Sequence, residues 1–247
     1  MRLLLTIQYL GTRYAGWQTQ ANAVGVQQVL EETLSKVCGA PLRVHGAGRT
    51  DSGVHAAGQR AHFDLETSIP LDGLIKGVND RLPPDIRIVA AHEVSPEFHA
   101  RFDARSKSYR YQIWNGAVAD VFLAPTHAHV HIPLDETIMS RAASSLVGTH
   151  DFRAYTVVEP EVSSTVRTIE EISVVRRGEA IWIEVTADGF LRFMVRRIAG
   201  QLIEIGRGKI APEAAERALE PAFAEARWTA PAEGLILTRV GYDDPSL

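Results

Sequence analysis

Gly46-Ala-Gly-Arg-Thr-Asp-Ser-Gly-Val-His-Ala56 is the most concentrated polar stretch of the chain, and its reading decides the rest. Gly46, Gly48 and Gly53 permit unusual backbone angles and the close approach of a ligand. The spacing is not that of a dinucleotide-binding loop, because it reads G-x-G-x4-G and no long helix follows at once. It is not a Walker loop either, since it lacks Gly-Lys-Ser/Thr. What it presents is one carboxylate, Asp51, beside one guanidinium, Arg49, and two hydroxyls, Thr50 and Ser52. Asp51 could be a nucleophile, a general base or a structural cap. Asp, Ser and Thr in Gly-rich loops commonly bond their own backbone.

Outward from this loop, Leu42–His45 is a short extended run and Gln59–Leu65 reads as a strand. Leu3, Leu5, Ile7 and Tyr9 alternate with Leu4, Thr6 and Gln8, the period of a strand with one buried face. A loop rich in Gly and aromatics, Gly11 to Asn22, follows. Val26, Val29, Leu30, Leu34 and Val37 fall on one helical stripe that Gly39 and Pro41 stop. Pro70 opens a second helix through Leu82, and Asp85–Ala90 returns as a strand. Ser108–Ile113 alternates again, with Tyr109, Tyr111 and Ile113 on one face. Further on, Leu134–Leu146 suits a helix, and Val166–Val175 and Ala180–Val185 suit two antiparallel strands. Leu191–Ile205 suits a strongly amphipathic helix, Pro212–Leu219 a short alanine-rich one, and Leu235–Tyr242 a closing strand. Hairpin-like neighbours and few βαβ crossovers predict an α+β fold, a mixed, largely antiparallel sheet backed by helices. The order of elements is similar in two halves, residues 1–115 and 116–247, with a boundary near Asn115–Leu123.

The composition excludes several classes. With 247 residues, 45% hydrophobic and 23% charged, the chain is neither disordered nor a disulfide scaffold. No apolar run approaches the about 18 residues of a membrane span. A single cysteine, Cys38, makes no internal disulfide, which points to a reducing, cytoplasmic home. The formal charge of −4 speaks against nucleic acid at first sight. Yet 22 of the 26 basic residues are Arg, whose planar fork suits phosphate and base edges. The charge is also uneven. Residues 98–111 carry Arg101, Arg105, Lys107 and Arg110 against Asp103, a net +3. Residues 190–209 carry Arg192, Arg196, Arg197, Arg207 and Lys209 against Glu204, a net +4, while residues 212–247 sum to −4.

GAGRTDSGVHA closely resembles the signature of the tRNA pseudouridine synthase A family. So do Tyr9-x-Gly11 with Gly16-Trp17-Gln18-x-Gln20, and Phe98-His-Ala-Arg101-Phe with Lys107-Ser-Tyr109-Arg110-Tyr111. Phe190-Leu191 with Met194-Val195-Arg196 and Ile198-x-Gly200, and Ala232-x-Gly234-Leu235, complete the series in order. The resemblance implies a pseudouridine synthase fold with two halves flanking a central cleft. It implies Asp51 as the catalytic aspartate, Arg196 as the arginine paired with it, and Tyr109 as the residue stacked on the target uracil. Leu235 matches an apolar residue beside that base, and Arg49 an arginine that helps displace it from the RNA helix. Arg101 and Arg110, in the basic second block, are assigned to RNA contact. The resemblance also implies tRNA as partner, a homodimer, and action on anticodon-arm positions 38 to 40. The sequence departs from the family at Gly25-Val26-Gln27-Gln28, at Arg192 and Phe193, and in a short Glu159–Ser164 segment. These bear on tRNA contact rather than on the reaction.

Such a reaction breaks the N1–C1′ bond of uridine, turns the uracil and rejoins it through C5. It calls for no redox cofactor, no nucleotide cofactor and no metal. It calls for a carboxylate that attacks or removes a proton, and that stays ionised in a dry pocket, which a nearby guanidinium favours. Helical arithmetic puts Arg196 opposite the apolar arc of its helix, facing solvent or a cleft, with Gly200 leaving room on the same face. The base must leave the stack, and an aromatic platform such as Tyr109 offsets part of that cost. Tyr111 shares the face and could be the core member instead.

Other constellations read as ordinary. His127-x-His129-x-His131 would put three imidazoles on one strand face, the best metal hypothesis in the chain. His45 and His55 flank the Asp51 loop. Trp17 packs against loop or RNA, Cys38 has no activating neighbour, and Glu213–Glu225 looks like a solvated helix face. Two other functions compete with a tRNA-modifying isomerase: a non-catalytic RNA-binding module and a metal hydrolase on the three histidines.

Overall fold

The computed structural model describes residues 1–66, 69–157, 163–220, 226, 228–244 and 246–247. The short segment Glu159–Ser164 and the acidic stretch ending at Glu225 therefore lie partly outside the described residues. The chain runs β1 (Arg2–Tyr9), α1 (Val26–Cys38), β2 (His45–Gly46), β3 (His55–Asp64), α2 (Leu71–Asn79) and β4 (Ile86–Val94). It continues through β5 (Ser106–Trp114), β6 (Ala128–His129), α3 (Glu136–Ser144), β7 (Gly148–Asp151), β8 (Val166–Arg177) and β9 (Ala180–Ala187). It ends with α4 (Met194–Gly206), the single turn α5 (Ala214–Arg217) and β10 (Leu235–Gly241). The class is α+β with mostly antiparallel pairing, as the alternation and the scarcity of crossovers predict. Two compact units form, one of residues 1–105 with 237–247 and the other of residues 106–236.

In the first unit the strand order is β4-β1-β3-β10, with β2 on β3. β1 is central, hydrogen-bonded to β3 and β4. Leu3, Leu5, Ile7 and Tyr9 are buried on one face, as the alternation predicts. On the other face Leu4 is buried too, while Arg2 and Thr6 are half-buried and Gln8 is exposed. α1 buries Val26, Leu30 and Leu34 and stops at Gly39, whose φ of 72° lets its N–H reach Ser35 O at 2.9 Å. Each of those aliphatic side chains contributes about 1.5–3 kcal/mol on burial. β3 begins at His55 rather than Gln59. There the Gly11 N–H donates to His55 Nδ1 at 2.8 Å, and Tyr9 pairs with Ala56 across a bulge.

In the second unit the order is β5-β9-β8-β7, with β6 parallel to β5. β8 and β9 form the expected hairpin, closed at Gly178 with φ 62°. Tyr109, Tyr111 and Ile113 lie opposite Val185, Ile183 and Ile181, and all six are buried. The Asp135 side chain caps α3 by accepting the Thr137 and Ile138 N–H groups. α4 starts at Met194, three residues later than the periodicity suggests. Phe193 has φ 62°, the only positive φ at a non-glycine among the described residues, and that breaks the helical run. α4 is also buried almost all round, Arg197, Gln201 and Glu204 included. The open face expected beside Gly200 does not exist. A Cβ on Gly200 would lie 2.3 Å from Trp228 O, and the Ala230 N–H donates to Arg196 O at 3.0 Å. Backbone, not solvent, covers that face. Among the described residues no helix is long and apolar enough to cross a membrane.

The first unit contains a histidine cluster that the sequence does not announce. His62 stacks on His45 at 5.0 Å and meets the edge of His99 at 4.6 Å, while its Nδ1 accepts the Ala100 N–H at 3.1 Å. Burial, with His99, His45 and Arg2 adding to it, pushes the His62 pKa down to about 4. An unfolded chain takes up that proton near pH 6.5, whereas the folded chain resists it down to about 4. Stability is therefore full above pH 6.5 and is lost progressively as pH falls toward 4, by on the order of 3 kcal/mol from this group. Urea unfolding between pH 7.5 and 4.5 is expected to show a shallower acid loss for His62→Gln than for the wild type. Parallel curves would contradict the assignment.

Candidate functional site

Asp51 lies between β2 and β3, half-buried, between buried Thr50 and exposed Ser52. The inward side chain is Thr50, whose Oγ1 is 2.8 Å from the Tyr9 hydroxyl. Gln59 Nε2 donates to Gly48 O at 3.0 Å and reaches the same hydroxyl at 3.5 Å. Burial pushes the Tyr9 pKa up to about 12, so this network under the loop is neutral at physiological pH. The loop is held from the side as well. Trp17 N–H donates to Thr50 O at 3.1 Å, Gly53 N–H to Tyr14 O at 3.3 Å, and Val54 N–H to Asp51 O at 3.1 Å.

Two glycines make that approach possible. Gly16, at φ 88°, would carry a Cβ 2.4 Å from Thr50 O, and Gly11 one 2.0 Å from Val54 O. The Gly- and aromatic-rich stretch after β1 is thus a clamp on the Asp51 loop. Trp17 is buried against Gly46, so its partner is the loop. Gln27, within the segment Gly25-Val26-Gln27-Gln28, joins the clamp. Its Nε2 donates to Val44 O at 2.9 Å, and its Oε1 accepts the Thr19 N–H at 3.0 Å. Arg49 and Arg101 are exposed in the same unit, Arg101 with its guanidinium 5.8 Å from the Phe102 ring.

In the second unit Tyr109 is buried edge-on to Phe190, centroids 5.1 Å apart. Tyr111 is wholly buried and donates to Pro231 O at 2.9 Å, which makes it the core member of the pair. Arg196 is half-buried. Its Nε donates to Ala230 O at 2.8 Å and its guanidinium lies 5.4 Å from the Phe193 ring. The left-handed turn at Phe193 thus sets a ring beside Arg196. Leu235 is buried at the start of β10, after Gly234, where a Cβ would lie 2.7 Å from the Tyr111 ring.

The positive segments are partly neutralised by folding. Arg105 pairs with Asp243 at 2.7 Å, and Arg110 pairs with Glu184 at 2.7 Å and stacks on Trp182. Arg207 and Lys209 share Glu204 at 2.7 and 3.4 Å. Counting charges along the sequence overstates what remains for an anionic partner. The three histidines do not share a strand face. β6 spans only Ala128–His129, His127 bonds Thr126 Oγ1 at 3.1 Å, and His129 Nε2 meets Gly116 O at 2.9 Å. Among the described residues no three His, Cys, Asp or Glu side chains are grouped to hold a metal. Burial pushes the Cys38 thiol up, away from the reactive thiolate. Tyr9, Gln59 and Gly16 are the residues sequence reasoning missed as supports of the loop. Nothing local links Gln59 to a tyrosine 50 positions earlier.

The family described as "tRNA pseudouridine synthase" matches residues 5–103 and 142–243. A "tRNA pseudouridine synthase A" of Picosynechococcus sp. is 44% identical over 246 residues, covering 99% of this chain and 90% of the relative. One of Pelobacter propionicus is 45% identical over 239 residues, covering 96% and 98%. One of Brevibacillus brevis is 43% identical over 242 residues, covering 98% and 99%. A solved Cbf5-Nop10-Gar1 complex matches 98% of this chain and 51% of that chain at 12% identity. Its TM-score of 0.39 is too low to carry an argument.

Proposed function

This chain belongs to the tRNA pseudouridine synthase family, and on that premise we propose that it isomerises uridine to pseudouridine in the anticodon arm of tRNA, at positions 38 to 40, with Asp51 as the catalytic carboxylate. The observation that carries the reading is the way Asp51 is presented. It is the one carboxylate of a glycine-rich loop that is anchored from below by Thr50, Tyr9 and Gln59 and clamped from the side by residues 11–17. An isomerase that must hold a sugar against a carboxylate gains from such rigidity, because misplacement by an ångström costs rate.

The roles follow the family resemblance. Asp51 attacks, or removes a proton. Both routes use the same ionised group. Arg196 matches the arginine that the family pairs with the aspartate, and a guanidinium beside a carboxylate favours its ionised form. Tyr109, braced by Phe190, is the platform on which the flipped uracil stacks, with Leu235 beside it. Arg49 enters the RNA helix as the base leaves, and Arg101 and Arg110 contact the backbone. The active species is a homodimer, expected to weigh twice 27.1 kDa by light scattering.

Transfer RNA carrying tritium at uridine C5 tests the reading, because rejoining through C5 expels that hydrogen. Release in step with pseudouridine formation is expected. Binding without release would make the chain an RNA-binding module and overturn the proposal.

A further inference from the structure

The histidine cluster of the first unit ends in a ring that faces out of the protein. His62 is buried, His99 is half-buried, and Phe102 is 71% exposed. The Phe102 ring lies against His99, with centroids 4.2 Å apart and 31° between the planes, and His99 meets His62 edge-on at 4.6 Å. The turn that carries Phe102 is tied at every step. His99 Nδ1 accepts the N–H groups of Arg101 at 3.1 Å and of Phe102 at 3.3 Å. Asp103 Oδ2 accepts the His99 N–H at 2.7 Å, and the Asp103 N–H donates to His99 O at 3.0 Å. His62 Nδ1 holds the Ala100 N–H between them. A proton on His99 Nδ1 would displace two of these donors, and burial, with His45 adding to it, holds the His99 pKa below its usual value.

A side chain already fixed in place loses little conformational freedom when a partner covers it. Two observations identify that partner. The ring rests on other rings and offers solvent a flat aromatic face, which suits a flat ligand. Arg101, the preceding residue, is exposed, holds its guanidinium 5.8 Å from the centre of the ring, and makes no ion pair among the described residues. A planar group with an anion beside it is what a nucleotide presents. We propose that Phe102 and Arg101 bind one unpaired nucleotide of the RNA substrate, its base stacked on the Phe102 ring and its phosphate on the Arg101 guanidinium. The RNA is that of the tRNA reading above, on which this site rests. The nucleotide is a different one from the target uridine, whose platform is Tyr109. A base inside a duplex is stacked on both faces, so the site selects a looped-out or single-stranded nucleotide.

The test uses the full chain as wild type, Phe102→Ala, Phe102→Trp and Arg101→Gln. Affinity for tRNA is measured by filter binding at several potassium chloride concentrations. Phe102→Ala is expected to bind about tenfold more weakly at every concentration, with the slope of log affinity against log salt unchanged, because a stack is lost and no phosphate contact. Arg101→Gln is expected to lower that slope by about 0.7–0.9. Phe102→Trp is expected to bind at least as tightly as the wild type, and its added indole fluorescence is expected to be quenched by tRNA. The melting temperature of free Phe102→Ala is expected to follow the wild type, since the ring is mostly exposed. Wild-type affinity in Phe102→Ala overturns the site, as does a Phe102→Trp variant that binds no better than Phe102→Ala. An unchanged slope in Arg101→Gln removes the phosphate, and with it the nucleotide. A lower melting temperature that accounts for the lost binding marks a structural ring, and a change from dimer to monomer in light scattering gives the ring to a second copy of the chain; either overturns the site. Tritium release by the wild type on the same tRNA separates this site from the isomerase reading. Release with wild-type affinity in Phe102→Ala defeats the site alone, whereas no release with the expected loss of affinity defeats the isomerase and upholds the site.

Discussion

Asp51→Asn is expected to stop tritium release from C5-labelled tRNA, by at least about 10³-fold, while tRNA binding stays within a few-fold of wild type. The substitution keeps the shape of the side chain and removes the negative charge. The loop does not collapse with it, because the anchors are Thr50, the Gly48 carbonyl and the backbone groups of Asp51 and Gly53 rather than the Asp51 carboxylate alone. Urea unfolding of the variant is therefore expected to follow the wild type within about 1 kcal/mol. Retained release in Asp51→Asn sinks the assignment of the catalytic carboxylate. A large loss of stability would instead make Asp51 a structural cap.

Gly16→Ala is expected to damage both stability and catalysis. Its φ of 88° already disfavours a side chain, by about 1–2 kcal/mol. The added Cβ would also sit 2.4 Å from Thr50 O, a backbone atom that moves only if the Asp51 loop moves. A combined loss of about 3 kcal/mol or more is expected, with release slowed well beyond what the unfolded fraction explains. Gly39→Ala is the control. It has φ 72° at the end of α1 and nothing within 4 Å of its Cβ. It bears only the conformational cost, and release is expected to be unaffected. If Gly16→Ala and Gly39→Ala lose the same stability and keep the same rate, the clamp does not position Asp51.

The elements near the Asp51 loop were legible because their signals are local. The α1 stripe, its Gly39 stop and the β8–β9 hairpin each depend on residues a few positions apart, and the structure shows all three. Errors arose where a neighbour distant in sequence intervenes. The face of α4 near Gly200 reads as open from helical arithmetic, yet Trp228–Ala230 lies on it. β1 reads as buried on one face, and it is, except that Leu4 on the other face is buried as well. The three histidines at 127, 129 and 131 alternate in sequence, but the strand that would align them spans only two residues.

By itself the sequence determined the α+β class, the family blocks and the single carboxylate in its glycine-rich loop, because periodicity, turn chemistry and motif order are properties of short stretches. Only the tertiary structure decided what holds that loop and which charges remain in play. Thr50 meets Tyr9 across 41 positions, and Asp243 claims Arg105 across 138. Likewise β10 returns to the first unit to lie beside β3. Hydrogen bonds and Coulomb forces act over ångströms, and no local pattern records which distant residues the folded chain brings within that range.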